Sequence, residues 1–274
     1  MFQKVIESAQ LISLPDVYIK LKALIDDPDY ALAEVALLVG RDPGMATRFL
    51  RVVNSPLNRR VQKIETVSHA VSLLGIRQVH DIVLSASVAE AFDGMHNDVM
   101  TMKKFWERSV YCGVMTKQLA LECGAKEIDR FFVMGLLHDI GHLFMYQAIP
   151  EESQRAILVA KDLERPLYQV ERELLGFDYA KVGGYMMKHW DLPKSLQAIT
   201  WLHPEPGKAN QYALETALLH ISSLMVQADM DGGAFGPAVD FAAWELTALK
   251  MDQCLQVQQT AAEQFGSVTE SIFP

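Results

Sequence analysis

An all-α fold is predicted by three features of the sequence. Apolar residues recur at intervals of three and four along nearly all of the chain, period-two alternation beside hairpin dipeptides is hard to find, and glycine or proline punctuates the helical stretches. The chain has 274 residues, half of them hydrophobic and 22% charged. That balance supplies a sizeable core and excludes a disordered chain.

The first expected helix, 15–27 (PDVYIKLKALIDD), opens with Pro15, whose missing amide proton would be unpaired in a first turn anyway. ALAEVALLVG (31–40) is closed by Gly40, and Asp42 and Pro43 cap and start PGMATRFLRVVN, so two short helices meet at a tight turn. Asn54-Ser55-Pro56 reads as the exit, with Asn54 bonding to loop backbone and Pro56 blocking continuation. TVSHAVSLLG ends at Gly75, and 76–92 forms a longer helix. Residues 93–100 (DGMHNDVM) are polar and contain Gly94, which makes them the expected joint between an N-terminal lobe, 1–92, and a second lobe, 93–274. In the second lobe, helices are expected at 101–123, 127–146, 151–164, 166–175, 178–190, 193–203 and 211–228. A glycine-rich loop (229–240) and a final helical pair, 240–266, follow.

Several function classes recede at once. The net charge of −9 opposes general attraction to nucleic acid or anionic membrane. Cys112, Cys123 and Cys254 are odd in number and widely spaced, which suggests reduced structural thiols and neither a disulfide framework nor a zinc knuckle. The start, MFQKVIESAQ, lacks the marks of a signal peptide, and no apolar run approaches the roughly 20 residues that span a bilayer, so a cytoplasmic protein is expected. Phosphate loops, serine nucleophile elbows and Cys-His arrangements are not found.

The stretch FFVMGLLHDIGHLF (131–144) sets His138 beside Asp139 within an apolar helical run. Neighbours on a helix point about 100° apart, so the two can share a metal only if other helices bring further ligands. A nitrogen and an oxygen donor suit iron, manganese or zinc, which would activate water against a phosphate ester. On the dipeptide alone, the plainer reading is a buried pair bonded to its neighbours.

A basic strip at 41–63 carries Arg41, Arg48, Arg51, Arg59, Arg60 and Lys63 against one acid, Asp42. Arg48 and Arg51 share a helix face opposite Met45, Phe49, Val52 and Val53, so phosphate contacts are geometrically open to them. No polar base-reading cluster accompanies them, and an αα-hairpin is the commoner use of such a segment. Trp106, Trp190, Trp201 and Trp244 fall beside apolar neighbours and are expected to be core or interface anchors.

LLHDIGHL resembles the signature of the HD superfamily of metal-dependent phosphohydrolases, and the chain as a whole is similar to its HDOD branch. The branch's amino-terminal marks are matched by LPDVYIKLKALIDDPD, RDPGMATRFLRVVNSP and TVSHAVSLLG, and its later segment by ERELLGFDYAKVGGYMMKHWDLPKSLQAITWLH. The resemblance implies an HD-domain-like multi-helix bundle with an additional N-terminal lobe. It also implies a regulatory role in bacterial signalling, with response-regulator or cyclic-dinucleotide proteins as the class of partner.

The same resemblance implies a degenerate metal set. His138 and Asp139 are kept, but Arg108 stands where a histidine is expected and Ser223 where an aspartate is expected. A guanidinium offers no lone pair to a metal. The family's G-D-H triplet becomes Gly176, Asp178 and Tyr179 around an intervening Phe177, and a later histidine pair is reduced to Leu202-His203. His220 lies close enough to Ser223 to be the substitute, so a metal, if bound, would take His138, Asp139 and His220. In the family's geometry Arg108 would fill the ion's place and pair with Asp139. The preferred reading is therefore a non-catalytic signalling module that binds a protein partner through a surface that includes Arg48, Arg51, Arg59 and Arg60, with no cofactor. Two alternatives stay open: a metal-dependent phosphohydrolase acting on a nucleotide or cyclic dinucleotide, and a nucleic-acid-binding regulator using the strip. A membrane partner is not expected, and self-association as a homo-oligomer is left open.

Overall fold

Helix ends throughout the chain are set by local chemistry. Asp42 accepts the Met45 amide at 3.0 Å, with Pro43 at the first helical position. Thr101 caps the Lys104 amide at 3.2 Å and Asp178 the Lys181 amide at 2.7 Å. Gly176 closes its helix in the left-handed region at φ 84°. The computed structural model describes residues 1–58 and 62–272, and among them there is no strand.

The chain divides into two compact units, one of residues 1–12 and 95–261, the other of residues 13–94 with the chain from Ala262 onward. The smaller unit is built from α2 (Asp16–Ile25), α3 (Leu32–Gly40), α4 (Pro43–Val53) and α5 (Val67–Ala91), with α2, α3 and α4 all lying on α5. Tyr18, Leu21, Val35, Val39, Met45, Phe49, Val79 and Val83 make its core. Each such side chain contributes about 1.5–3 kcal/mol by leaving water. α5 is interrupted at Gly75 (φ 75°, ψ 164°), the position at which the sequence predicts a stop. Asn54 donates to the carbonyls of Leu50 and Ile64, both at 2.8 Å, and accepts the Ile64 amide at 2.7 Å, so it ties down the loop after α4.

The larger unit holds α1 (Phe2–Ala9), α6 (Met102–Glu122), α7 (Asp129–Leu137), α8 (Ile140–Ala148), α9 (Pro150–Asp162), α10 (Leu167–Leu175), α11 (Tyr179–His189), α12 (Lys194–Leu202), α13 (Ala213–Asp231) and α14 (Phe241–Thr247). The last helix, α15 (Met251–Ile272), belongs to this unit through Ala261. α6 packs on α7 and α13, and α11 on α8 and α12. Two of these crossings need glycine. A Cβ on Gly135 would lie 2.5 Å from the Cys112 carbonyl oxygen, and one on Gly141 would lie 1.9 Å from that of Tyr179. α9 and α10 pair over a small cluster of Ala156, Ala160 and Val170.

Two expectations are corrected. Residues 1–12 do not join the N-terminal lobe expected over 1–92. They form α1, whose buried Val5, Ile6 and Ala9 pack on α8 and α11, and Phe2 meets the ring edges of Phe177 and Tyr185 at 5.1 and 5.9 Å. The helix expected over 127–146 is two helices, α7 and α8, broken at His138 and Asp139, where Asp139 takes φ −96° and ψ 4°. Among the described residues no helix is long and apolar enough to cross a membrane.

Candidate functional site

The break between α7 and α8 removes the 100° divergence that a continuous helix would impose on His138 and Asp139. His138 ends α7 and donates its Nδ1–H to the Gly135 carbonyl at 2.7 Å, which leaves Nε2 3.4 Å from Asp139 Oδ1. His203, just past α12, does the same with the Thr200 carbonyl at 2.8 Å. Its ring meets that of His138 edge to face at 5.3 Å. One ligand atom from each of His138, Asp139 and His203 lies within 4.8 Å of the others.

His142, one turn into α8, completes the cluster. Its Nδ1 is 3.5 Å from Asp139 Oδ1 and its Nε2 is 3.5 Å from Glu171 Oε1 on α10. The imidazole is stacked between Tyr179, at 3.9 Å between ring centroids, and Tyr146, at 5.2 Å. Glu171, 1% exposed, uses its other oxygen to accept the Tyr179 amide at 2.9 Å. The Tyr179 hydroxyl donates to His203 Nε2 at 3.0 Å.

Protonation follows from burial and from the carboxylates. Burial opposes charge on His142, but Asp139 and Glu171 outweigh it and raise its pKa to about 9. Burial, with His138 as a neighbour, drives His203 down to about 3, and burial lowers His138 as well, so both are neutral at pH 7. Burial by itself would raise the Asp139 carboxyl, yet the surrounding imidazoles hold it well below the usual carboxylate range. Burial, then Asp139, Glu171, Asp178 and Cys112, keep Tyr179 protonated, as its role of donor requires. The cluster thus pairs an imidazolium with two carboxylates beside two neutral imidazoles.

Several expected residues stand elsewhere. Arg108 does not pair with Asp139; it reaches Asp231 at the end of α13, where Lys104 also lies 3.8 Å from the carboxylate. The physical reason is that the surrounding histidines, His138 and His142 foremost, already stabilise the Asp139 carboxylate, whereas Asp231 gathers Lys104 and Arg108 as its cations. His220 is not a substitute ligand. Its Nδ1–H donates to the His203 carbonyl at 2.8 Å and its Nε2 accepts the Asp240 amide at 3.0 Å, which uses both nitrogens. Ser223 bonds back to the His220 carbonyl at 2.9 Å. His203 takes the place the sequence reading gave to His220. His142, Glu171 and Tyr146 were not singled out by the sequence. The only available signal was His142 lying one helical turn beyond His138 and Asp139 in HDIGH.

The basic strip is also altered. Arg48 is half-buried and pairs with Glu90 on α5, while Arg51 is exposed. Arg59 and Arg60 lie outside the described residues. Of the tryptophans, Trp106 is buried and Trp190 donates to the Ile12 carbonyl at 3.1 Å, but Trp201 is 48% exposed and does not anchor the core. Burial pushes all three cysteine thiols up, Cys123 and Cys254 to about 11, so they stay protonated.

The model of the HDOD domain family matches residues 11–206. The chain belongs to the HDOD family. An HDOD domain protein of unknown function from Geobacter sulfurreducens is 19% identical with a TM-score of 0.77, over 100% of this chain and 98% of that one. A provisionally assigned phosphohydrolase from Shewanella amazonensis SB2B is 21% identical with a TM-score of 0.76, over 98% of each chain. A provisionally assigned signal transduction protein from Marinobacter aquaeolei VT8 is 19% identical with a TM-score of 0.70, over 94% of this chain and 58% of that one. At these identities the likeness shows the fold. An uncharacterized protein of Treponema pallidum (strain Nichols) is 22% identical over 201 residues, and the match spans 73% of this chain and 39% of that protein.

The resemblance to the HD phosphohydrolases in sequence implies a metal, and three residues of this HDOD chain fit one. His138 and His203 each spend Nδ1–H on a backbone carbonyl and turn Nε2 into the cluster, as metal-binding histidines do. With Asp139 they form a two-nitrogen, one-oxygen donor set suited to a divalent transition metal, which when bound would polarise a phosphoryl oxygen or activate water. Neither Arg108, turned to Asp231, nor Ser223, bonded to its own helix, completes the set.

Proposed function

We propose that this chain is a non-catalytic HDOD signalling module that works by binding a protein partner. The observation that carries the reading is the bond from the Tyr179 hydroxyl to His203 Nε2, which occupies the nitrogen a metal would need. Around it the charges are paired internally, Asp139 with histidines, Glu171 with His142 and the Tyr179 amide, Asp178 with Arg172 and the Lys181 amide, although His142 Nε2, 3.5 Å from Glu171, makes no hydrogen bond. Such a site has no need of an ion to offset buried charge. The exposed Arg51 remains available for an acidic partner surface, while Arg48 is engaged by Glu90.

The test is an assay of the full chain with manganese against nucleotide monoesters and a cyclic dinucleotide, run beside Asp139→Asn. No turnover above buffer is expected from either protein. Turnover that Asp139→Asn abolishes would establish the phosphohydrolase reading, which the donor set of His138, Asp139 and His203 favours. Partners captured from the native cytoplasm on the full chain should lose affinity for Arg51→Glu.

A further inference from the structure

Tyr179 is fixed more firmly than a hydroxyl at the edge of a polar cluster needs to be. Its amide is held by Glu171, its carbonyl faces the bare Cα of Gly141, and its ring stacks on His142 at 3.9 Å. Three independent contacts therefore aim one oxygen at His203 Nε2. Without that oxygen, three donor atoms within 4.8 Å would face one another with both histidine tautomers already set by backbone carbonyls.

We infer that Tyr179 is the gate of a latent transition-metal site made by His138, Asp139 and His203. The phenol is an internal competitor. It satisfies the buried acceptor Nε2 of His203, so a metal entering the cluster must first break that bond and leave the hydroxyl without a partner. Removing only the hydroxyl reverses the balance, because Nε2 is then an unpaired buried acceptor that a metal can satisfy, while the ring stack and both backbone contacts persist. The inference rests on the non-catalytic reading, but turnover by the unmodified chain would overturn that reading without any cobalt measurement.

The experiment is a titration of the full chain and of Tyr179→Phe with cobalt(II), followed by visible d–d absorption and by zinc competition. Tyr179→Phe is expected to bind one equivalent roughly 10-fold or more tighter than the unmodified protein, about the worth of one hydrogen bond to a buried group. Adding His203→Ala should abolish that binding. Equal affinity in the unmodified protein and Tyr179→Phe, or no cobalt bound by a Tyr179→Phe protein whose circular dichroism is unchanged, overturns the proposal. Should Tyr179→Phe not fold, the unmodified chain decides: its weak cobalt binding must disappear in His203→Ala, and equal binding by those two proteins overturns the gate.

Discussion

His142 carries the charge that the sequence suggested for Arg108. Its pKa is raised from the ordinary 6.5 to about 9 by Asp139 and Glu171 against the opposing effect of burial. A raised folded value means that the stabilisation is complete below pH 6.5 and is lost as pH rises through about 9. His203 behaves oppositely. Burial and His138 lower it to about 3, so its contribution is present above pH 6.5 and is lost as pH falls toward 3. Side-chain nitrogen NMR should therefore find His142 doubly protonated at pH 7.5 and His203 singly protonated at pH 5. A neutral His142 at pH 7.5 would refute this charge assignment. Replacing His142 by glutamine leaves two buried carboxylates without their cation, and chemical denaturation should record a loss of about 3–5 kcal/mol.

At the scale of elements, the site depends on how closely α8 approaches α11. A methyl group on Gly141 would meet the Tyr179 carbonyl oxygen at 1.9 Å and the Gly183 nitrogen at 2.7 Å, both backbone atoms that cannot swing aside. Gly141→Ala must therefore push the helices apart, at about 1–3 kcal/mol or more, and carry the Tyr179 hydroxyl off His203. Gly266, in α15, has open space around it and no unusual φ. Gly266→Ala should stabilise by about 1 kcal/mol, because alanine is the better helix former. Thermal melts of the two variants should move in opposite directions. A Gly141→Ala protein as stable as its parent would show that the crossing has slack.

For the molecule as a whole, the proposed non-catalytic function predicts a stability independent of metal. Dialysis of the full chain against a chelator should leave the melting temperature unchanged within about 1 °C. A native-state metal at 100 times its dissociation constant would add about 2.7 kcal/mol, and for a chain of this size each 1 kcal/mol moves the midpoint by roughly 2–4 °C. A fall of several degrees on chelation would mean that an ion holds the cluster together.

The sequence by itself determined the helical class, most helix ends and the His138-Asp139 pair, because all of these are written in local periodicity, capping chemistry and residue identity. Asp42 and Pro43 start α4 in the structure as the residues alone indicate, and Asn54 ties its loop. What only the tertiary structure decided is who meets whom. Arg108 reaches Asp231, 123 residues away, and not Asp139. His203 and not His220 faces the dyad, because His220 sits where the His203 carbonyl and the Asp240 amide claim both its nitrogens. The break between α7 and α8 hid in an uninterrupted helical pattern, and α1 hid in ten residues with no cap to announce them. The physical reason is common to all four. Hydrogen bonds and ion pairs between distant segments are settled by which backbones pack closely enough to deliver the partners, and no local pattern encodes a partner brought from another helix.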